Sequence, residues 1–201
     1  MATICDTILS TDILPDCDSP LIKGFESDGL IIPRANIESY TLNPSNPNEV
    51  NSIVLKTGTR GYECQQMGAT PFNGSTQSLV VGTYANTWES SVQILVPTWG
   101  STTAKDVVDA LTNGENVVIL RNKLKDDGLS NATGTAEYQI YGLWQGMRAT
   151  AGERDANSDD TLGGVLLTLT ESSSPKSGMF LVSNTAASNA DLYNSLKQEA
   201  V

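Results

Sequence analysis

Short segments rich in β-branched and aromatic residues, each bounded by Gly, Asn, Asp or Pro, constrain the fold of this chain more than any other feature. They lie between Asn51 and Ser183, and they are Ser52–Lys56, Gln77–Gly82, Thr87–Val96, Asn116–Leu124, Thr135–Met147, Leu162–Thr170 and Met179–Ser183. Many short strands separated by turn residues are typical of an antiparallel sandwich or barrel. We therefore predict a mainly β fold, a β-sandwich or barrel with one packed α-helix.

That helix is predicted over residues 101–113, where hydroxyl residues at the start are typical of a cap. The apolar residues that share one helical face are Val107, Val108 and Leu111. The pair Asn113-Gly114 follows, and both residue types tolerate the left-handed conformation in which helices often end. We expect this helix to cover one end or face of the sheet.

A second, shorter helix is predicted near the C-terminus. Ser188, with Asp191 three residues later, resembles a capping arrangement, and Leu192 and Leu196 form an i, i+4 apolar pair. Because this apolar stripe is narrow, we expect the helix to dock on a surface rather than to lie in a core.

The rest of the chain divides by composition. Residues 1–47 are rich in Asp, Ser, Asn and Pro, which predicts an irregular N-terminal arm that clasps its own body or a neighbour. Residues 48–184 form the predicted β-sandwich domain, and residues 185–201 form a C-terminal helix or tail. A length of 201 residues fits one main domain.

Charge excludes several classes of partner. The chain has 23 Asp and Glu against 12 Lys and Arg, a net charge of −11. This balance argues against nucleic acid held by a basic patch and against an anionic membrane surface. No apolar run approaches the roughly 20 residues that span a bilayer, and the N-terminus lacks a signal-peptide pattern. We expect a soluble protein with no membrane partner.

The absence of histidine removes the usual general base and every metal site that needs an imidazole. We therefore assign no catalytic residue and expect neither an enzyme nor a cofactor. Cys5, Cys17 and Cys64 lack CxxC spacing. They are interpreted as reduced thiols, with a three-thiolate metal site as the alternative.

An acid-rich stretch at 153–160 resembles a calcium loop, because Asp155, Asn157 and Asp159 match the first ligand positions of an EF-hand. The pattern then fails: Asp160 stands where the turn needs Gly, and Leu166 where a bidentate Glu is needed. An exposed polar hairpin loop is the better interpretation.

The aromatic residues allow a different class of function, a sugar-binding platform on a carbohydrate-binding or decoration module. They are Trp88, Trp99, Trp144, Tyr84, Tyr138 and Tyr141. However, both faces of the predicted strand 135–147 are partly apolar, which favours a strand buried on both sides. In a small domain, another subunit can cover one of those two sides.

The segment 137–170 carries a longer pattern: Tyr138–Met147, an acid-rich loop from Arg148 to Asp160, then Gly163–Thr170. It is similar to the C-terminal half of tailed-bacteriophage tail-tube and related virion ring proteins. The preceding helix, followed by Val117–Leu120, also fits, since those proteins set a helix against a β-sandwich.

The resemblance implies self-assembly into a six-fold, or multiple-of-six, ring whose inner surface is a continuous β-barrel through which viral DNA passes. The implied partners are copies of the chain itself, other tail or neck proteins, and passing viral DNA, without sequence-specific binding. The implied location is the tail or neck of the virion, after assembly in the host cytoplasm. A head–tail connector or neck ring protein of the same fold is the alternative.

Two groups of residues are singled out on this basis. The loop 148–162 has almost no apolar residue, so we expect it to be mobile in an isolated subunit and ordered by an intersubunit contact. Its proposed contact residues are Arg148, Arg154, Asp155, Asp159 and Asp160. Glu137 and Glu153 are predicted to face the channel, where an acidic wall repels phosphate.

Overall fold

A computed structural model describes residue 9 and residues 12–14, 23–123, 137–184 and 188–200. The strands within these ranges are β1 (Phe25–Pro33), β2 (Ile37–Leu42), β3 (Glu49–Leu55), β4 (Tyr62–Gln65), β5 (Thr76–Val80), β6 (Thr87–Val96), β7 (Asn116–Asn122), β8 (Tyr138–Tyr141), β9 (Arg148–Arg154), β10 (Val165–Ser174) and β11 (Met179–Leu181). Some residues with sequence predictions lie outside the described ranges, namely Leu124, Thr135, Ala136, residues 185–187 and most of residues 1–22.

The strands form two sheets, which confirms the prediction of a mainly β fold and is consistent with a β-sandwich. The large sheet has the order β2-β3-β11-β8-β7-β1-β4, and the small sheet has the order β5-β6-β10-β9. Neighbouring strands are antiparallel except β11 and β3, which are parallel.

Strands at the centre of the large sheet are apolar on both faces. In β1, Leu30 and Ile32 point to one face and Ile31 to the other, and all three are buried. In β7, Val117 and Val118 divide in the same way. Continuous apolar runs are characteristic of strands covered on both sides. The large sheet is therefore the middle layer, with the C-terminal helix on one face and the small sheet on the other.

Each interface between layers has its own core. Beneath the C-terminal helix the core includes Leu30, Ile32, Val50, Ile119, Ile140, Leu181, Leu192, Tyr193 and Leu196. Between the sheets it includes Ile31, Val92, Ile94, Val118, Leu120, Tyr141, Met147, Leu167 and Leu169. Full burial of one such side chain stabilises the fold by roughly 1.5–3 kcal/mol before entropy is counted.

The C-terminal helix spans Asn189–Ser195, and its predicted cap is confirmed: the Ser188 hydroxyl accepts a hydrogen bond from the backbone N–H of Asp191 at 3.1 Å. Its predicted surface docking was wrong. Tyr193, between the two predicted leucines, stacks on Tyr138 with ring centroids 4.5 Å apart and widens the apolar stripe. The helix therefore closes a core.

The predicted helix over 101–113 forms, in three parts: α-helical Ser101–Thr103, π-helical Ala104–Asp109 and α-helical Ala110–Asn113. Its ends differ from the prediction. The N-cap is Gly100, without a side-chain hydrogen bond, and Gly114 is extended (φ −99°) rather than left-handed. Of the predicted apolar face, only Leu111 is buried.

Two further predictions are corrected. The arm expected over residues 1–47 contains β1 and β2, whose short apolar pieces complete the large sheet. The strand expected over 135–147 ends at Tyr141, because the chain turns at Gly142 (φ +82°), where a Cβ would lie 2.5 Å from the Asn116 carbonyl oxygen. Its two buried faces are both covered by this same chain.

A buried carboxylate from the small sheet holds this turn. Glu171 in β10 is 3% exposed, and its Oε1 accepts hydrogen bonds from the backbone N–H groups of Trp144 (3.0 Å) and Gln145 (2.9 Å). Its Oε2 accepts from the N–H of Gly142 at 3.0 Å. The Glu171 side chain therefore fastens the small sheet to the large one.

Candidate functional site

Each sheet has two edge strands that no other described strand covers: β2 and β4 in the large sheet, β5 and β9 in the small one. An edge strand presents unpaired backbone groups to any chain that approaches, and proteins commonly guard such edges with charged side chains. Charge is present on three of them: Glu38 in β2, Glu63 in β4, and Arg148, Glu153 and Arg154 in β9. The edge strand β5 has none.

The uncharged character of β5 extends well beyond the strand. Between Cys64 and Ala104 the only charged residue is Glu89. Within this stretch Leu79 and Val80 of β5 are exposed, and so are Val81 and Tyr84 in the turn that joins β5 to β6. An edge that combines free backbone groups, exposed apolar side chains and no charge is suited to pairing with another strand.

The open edge is confined to β5. Where β6 continues past the end of β5, the side chain of Gln66 takes the place of a neighbouring strand. Its Nε2 donates to the carbonyl of Leu95 and its Oε1 accepts from the N–H of Leu95, both at 3.0 Å. Phe72, in the same connection, is buried between the sheets. This side of β6 is thus closed within the chain.

The opposite edge, β9, corrects the loop prediction for residues 148–154. They pair with residues 165–170 of β10, so they are a strand rather than a mobile loop. The Arg148 guanidinium forms an ion pair with Glu115, which also pairs with Arg34 at 3.5 Å. The hydrogen bond from Arg148 lowers the pKa of the Glu115 carboxyl. The Arg154 guanidinium lies 4.7 Å from the centre of the Trp99 ring.

Both arginines predicted to reach another subunit therefore have partners in their own chain. The other three residues of the proposed contact, Asp155, Asp159 and Asp160, are exposed in the turn between β9 and β10. Asp155 Oδ1 accepts a hydrogen bond from the N–H of Asn157 at 2.9 Å, which shapes the turn. The polar hairpin turn expected from the sequence is thus present, but shorter than predicted.

The two acids predicted to face a channel lie in different places. Glu137 is 9% exposed and pairs with Arg121 at 3.3 Å, beside the large sheet, so it does not present a free charge. Glu153 is exposed in β9, opposite Leu166 of β10.

Glu153 shares its side of the small sheet with a broad polar surface, the outer face, which points away from the large sheet. Its other polar members are Thr76, Ser78, Thr87, Glu89, Ser91, Gln93, Thr168 and Thr170. Its two acids, Glu89 and Glu153, stand near opposite edges, and its arginine, Arg148, pairs with Glu115, which also pairs with Arg34. The outer face is therefore hydroxyl-rich and weakly acidic.

The aromatic residues do not gather into one platform. Tyr138 and Tyr141 are buried in different cores, and burial raises the pKa of Tyr138 to about 12. Among the remaining four, Tyr84 and Trp99 are well exposed, and they lie at opposite ends of β6.

Burial raises the pKa of the Cys64 thiol to about 11, so this side chain is a protonated thiol at neutral pH. Cys5 and Cys17 lie outside the described residues.

In the described part of the chain, no group of three His, Cys, Asp or Glu side chains is placed to hold a metal ion. The described helices are all too short or too polar to cross a bilayer.

Comparisons with protein-family models, with curated proteins and with solved structures gave no match.

The sequence signal that points to β5 is the long stretch with a single charge, which strand propensity alone does not reveal. Fold and edges together describe a β-sandwich whose small sheet ends in one uncharged edge strand, β5, and one charged edge strand, β9.

Proposed function

We propose that this protein is a virion structural protein of a tailed bacteriophage, a subunit that assembles into a ring or tube through which DNA passes. The observation that carries the proposal is the uncharged edge strand β5, with Leu79 and Val80 exposed, on the same four-stranded sheet as the edge strand β9. The resemblance of residues 137–170 to tail-tube and ring proteins gives the proposal its biological setting.

Pairing between β5 of one copy and β9 of the next continues the small sheet from subunit to subunit. Such a contact joins two different surfaces, so it repeats until the copies close into a ring or extend as a helix. Copies with a net charge of −11 repel one another. An uncharged edge is the surface that such copies bring together with the least repulsion.

The same pairing determines which surface lines the channel. The inner face of the small sheet is covered by the large sheet, so the outer face is the one left to line the ring. Six copies of this four-stranded sheet, with strands about 4.8 Å apart, make a cylinder roughly 37 Å across before tilt widens it. Ser, Thr and Gln give phosphate no cation to bind, and the arginine of this face, Arg148, is paired with Glu115.

A head–tail connector or neck ring would use the same two edges, and the number of stacked rings distinguishes it from a tube. A monomeric carbohydrate-binding module is less well supported, because two of its six candidate aromatic residues are buried.

The test is a matched pair of lysine substitutions. Val80 in the edge strand β5 is 44% exposed, and Val54 in β3, an interior strand of the large sheet, is 46% exposed. We expect rings or tubes of wild-type protein in negative-stain images, loss of these assemblies in Val80→Lys, and normal assemblies in Val54→Lys. A wild-type protein that stays monomeric at high concentration and binds glycans would support the carbohydrate-binding module instead.

A further inference from the structure

The chain contains two Asn-Gly pairs, Asn73-Gly74 and Asn113-Gly114. In such a pair the backbone nitrogen of the glycine can attack Cγ of the asparagine side chain, because glycine has no side chain to hinder the approach. The reaction requires that the backbone turns toward the side chain and that the side-chain amide is able to leave. The fold treats the two pairs differently in both respects.

The Asn113 side chain is held in place. Asn113 is the last residue of the α-helical part Ala110–Asn113, and its Nδ2 donates a hydrogen bond to the carbonyl oxygen of Asp109 at 2.8 Å. The helix fixes the backbone of Asn113, and the hydrogen bond fixes the amide that would have to leave. Reaction at Asn113 therefore requires the end of the helix to open first.

Asn73 and Gly74 are exposed in the turn that leads into β5, outside any helix or strand. The N–H of Ser75 closes this turn onto the carbonyl oxygen of Phe72 at 3.2 Å. Neither the Asn73 amide nor the Gly74 N–H has a hydrogen-bond partner in the described part of the chain. The attacking nitrogen and the departing amide are therefore both unrestrained and accessible to water.

Packing explains why a glycine follows Asn73. Gly74 has φ +89°, in the left-handed region, and a Cβ there would lie 2.3 Å from Oε1 of Gln93. Any other residue would strain the backbone and displace the Gln93 side chain. The turn thus requires the residue that leaves Asn73 open to attack.

We propose that Asn73 is a site of spontaneous deamidation, at which a carboxylate forms beside the uncharged edge strand β5, while Asn113 remains an amide in the folded protein. The Gly74 nitrogen loses its proton to hydroxide and bonds to Cγ of Asn73. The bond from Cγ to Nδ2 breaks, and Nδ2 takes a proton from water and leaves as ammonia. The product is a five-membered cyclic imide, and no atom is oxidised or reduced.

Water then opens the imide at either of its two carbonyl groups. Breaking the bond from the Gly74 nitrogen to Cγ leaves an aspartate at position 73. Breaking the bond from that nitrogen to the backbone carbonyl carbon leaves an isoaspartate, whose main chain runs through the former side chain and is one carbon longer. Both products carry a carboxylate in place of the neutral amide.

The new carboxylate forms where the chain otherwise avoids charge. Position 73 is three residues before β5, and Glu89 is the only charged residue in this whole stretch of chain. An isoaspartate also lengthens a turn whose two ends are fixed, by Phe72 in the core between the sheets and by Thr76, which pairs with Ser91. Deamidation therefore changes the start of the open edge in charge and in length.

The experiment follows both asparagines in the full-length chain by mass spectrometry. Dilute folded protein is incubated at pH 6 and at pH 8, beside a sample unfolded in guanidinium chloride, and each is digested with pepsin at low pH. We expect Asn73 to convert several-fold faster than Asn113 in the folded protein, and faster at pH 8 because the attack needs a deprotonated nitrogen. In the unfolded sample the two sites should convert at similar rates.

The matched variants are Asn73→Gln and Asn113→Gln, since glutamine would have to form a six-membered ring, which is slower. The acidic form that accumulates on ion-exchange chromatography should disappear in Asn73→Gln and persist in Asn113→Gln. Equal conversion of the two asparagines in the folded protein, or conversion only after unfolding, would overturn the inference. So would an acidic form that persists undiminished in Asn73→Gln. None of these measurements involves assembly, so their outcome is independent of the proposed function.

Discussion

The two edge strands of the small sheet, β5 and β9, differ in their charge and in their exposed apolar side chains. Strand β9 carries Arg148 and Arg154, and both are engaged within the chain, by Glu115 and Trp99. Strand β5 carries no charge and leaves Leu79 and Val80 exposed. One edge is guarded and the other is open. Pairing of β5 with β9 of the next copy is a head-to-tail contact that repeats from subunit to subunit. Pairing of two β5 edges with each other would instead end as a closed dimer.

Both edges belong to a sheet that the Glu171 side chain fastens to the large sheet. Glu171→Ala leaves three backbone N–H groups without their buried acceptor, and we expect the free energy of unfolding to fall by about 3–5 kcal/mol. Urea denaturation measures this loss. Glu171→Gln keeps one acceptor oxygen and should lose less. Equal losses for both variants would mean that the side chain matters only for packing.

The turn that Glu171 holds provides the next test. Gly142→Ala adds a Cβ 2.5 Å from the Asn116 carbonyl oxygen at φ +82°, and we expect a loss of about 2–4 kcal/mol in thermal or urea unfolding. Gly68→Ala is the control, because its φ is also positive (+103°) but nothing lies within 4 Å of the added atom. A loss from Gly68→Ala as large as that from Gly142→Ala would show that backbone conformation alone sets the cost.

The outer face gives a prediction about DNA rather than stability. Glu89→Lys, in the interior strand β6, should leave assembly intact but make the particles retain duplex DNA at low salt, because exposed lysines bind phosphate. Retention should weaken as salt rises. Filter binding of assembled particles measures it, and Glu38→Lys in β2 is the control for added positive charge. Equal retention by that control would place Glu89 outside the channel.

The smallest effect is expected at the guarded edge. Glu115 has a lowered pKa in the folded protein, so its pairing stabilises the fold above the carboxyl's ordinary pKa of 4.5, and this contribution is lost as pH falls through the lowered value. Arg148→Ala should therefore lower the melting temperature slightly at pH 7 and by a smaller amount at pH 3. A difference that is the same at both pH values would assign the effect of Arg148 to packing.

Strands whose apolar and polar residues alternate could be predicted from the sequence, and a strand without that alternation could not. Strand β6 was predicted with its observed bounds, Thr87–Val96, because one face of it alternates into the core. Strand β9 was mistaken for a loop, since its side chains are mostly polar and only its pairing with β10 makes it a strand. The Arg148–Glu115 pair joins residues 33 positions apart, which a single sequence does not bring together.

The candidate site could be predicted from the sequence only in part, for a related reason. Glu137 and Glu153 look alike as isolated acids, yet one is buried against Arg121 and the other is exposed on the outer face. Whether a strand lies at an edge depends on sheet order, which strand propensity does not encode. The open edge β5 therefore became visible only once the strands were arranged in sheets.

The central claim is that copies of this chain join through β5 and β9, and hydrogen exchange tests it most directly. Amides of residues 76–80 and 148–154 should exchange faster in monomers than in assembled particles, because their free backbone groups become paired. Amides of residues 37–42, in the edge strand β2 of the large sheet, should exchange equally in both. Protection that appears in β2 while β5 is unchanged would contradict the account.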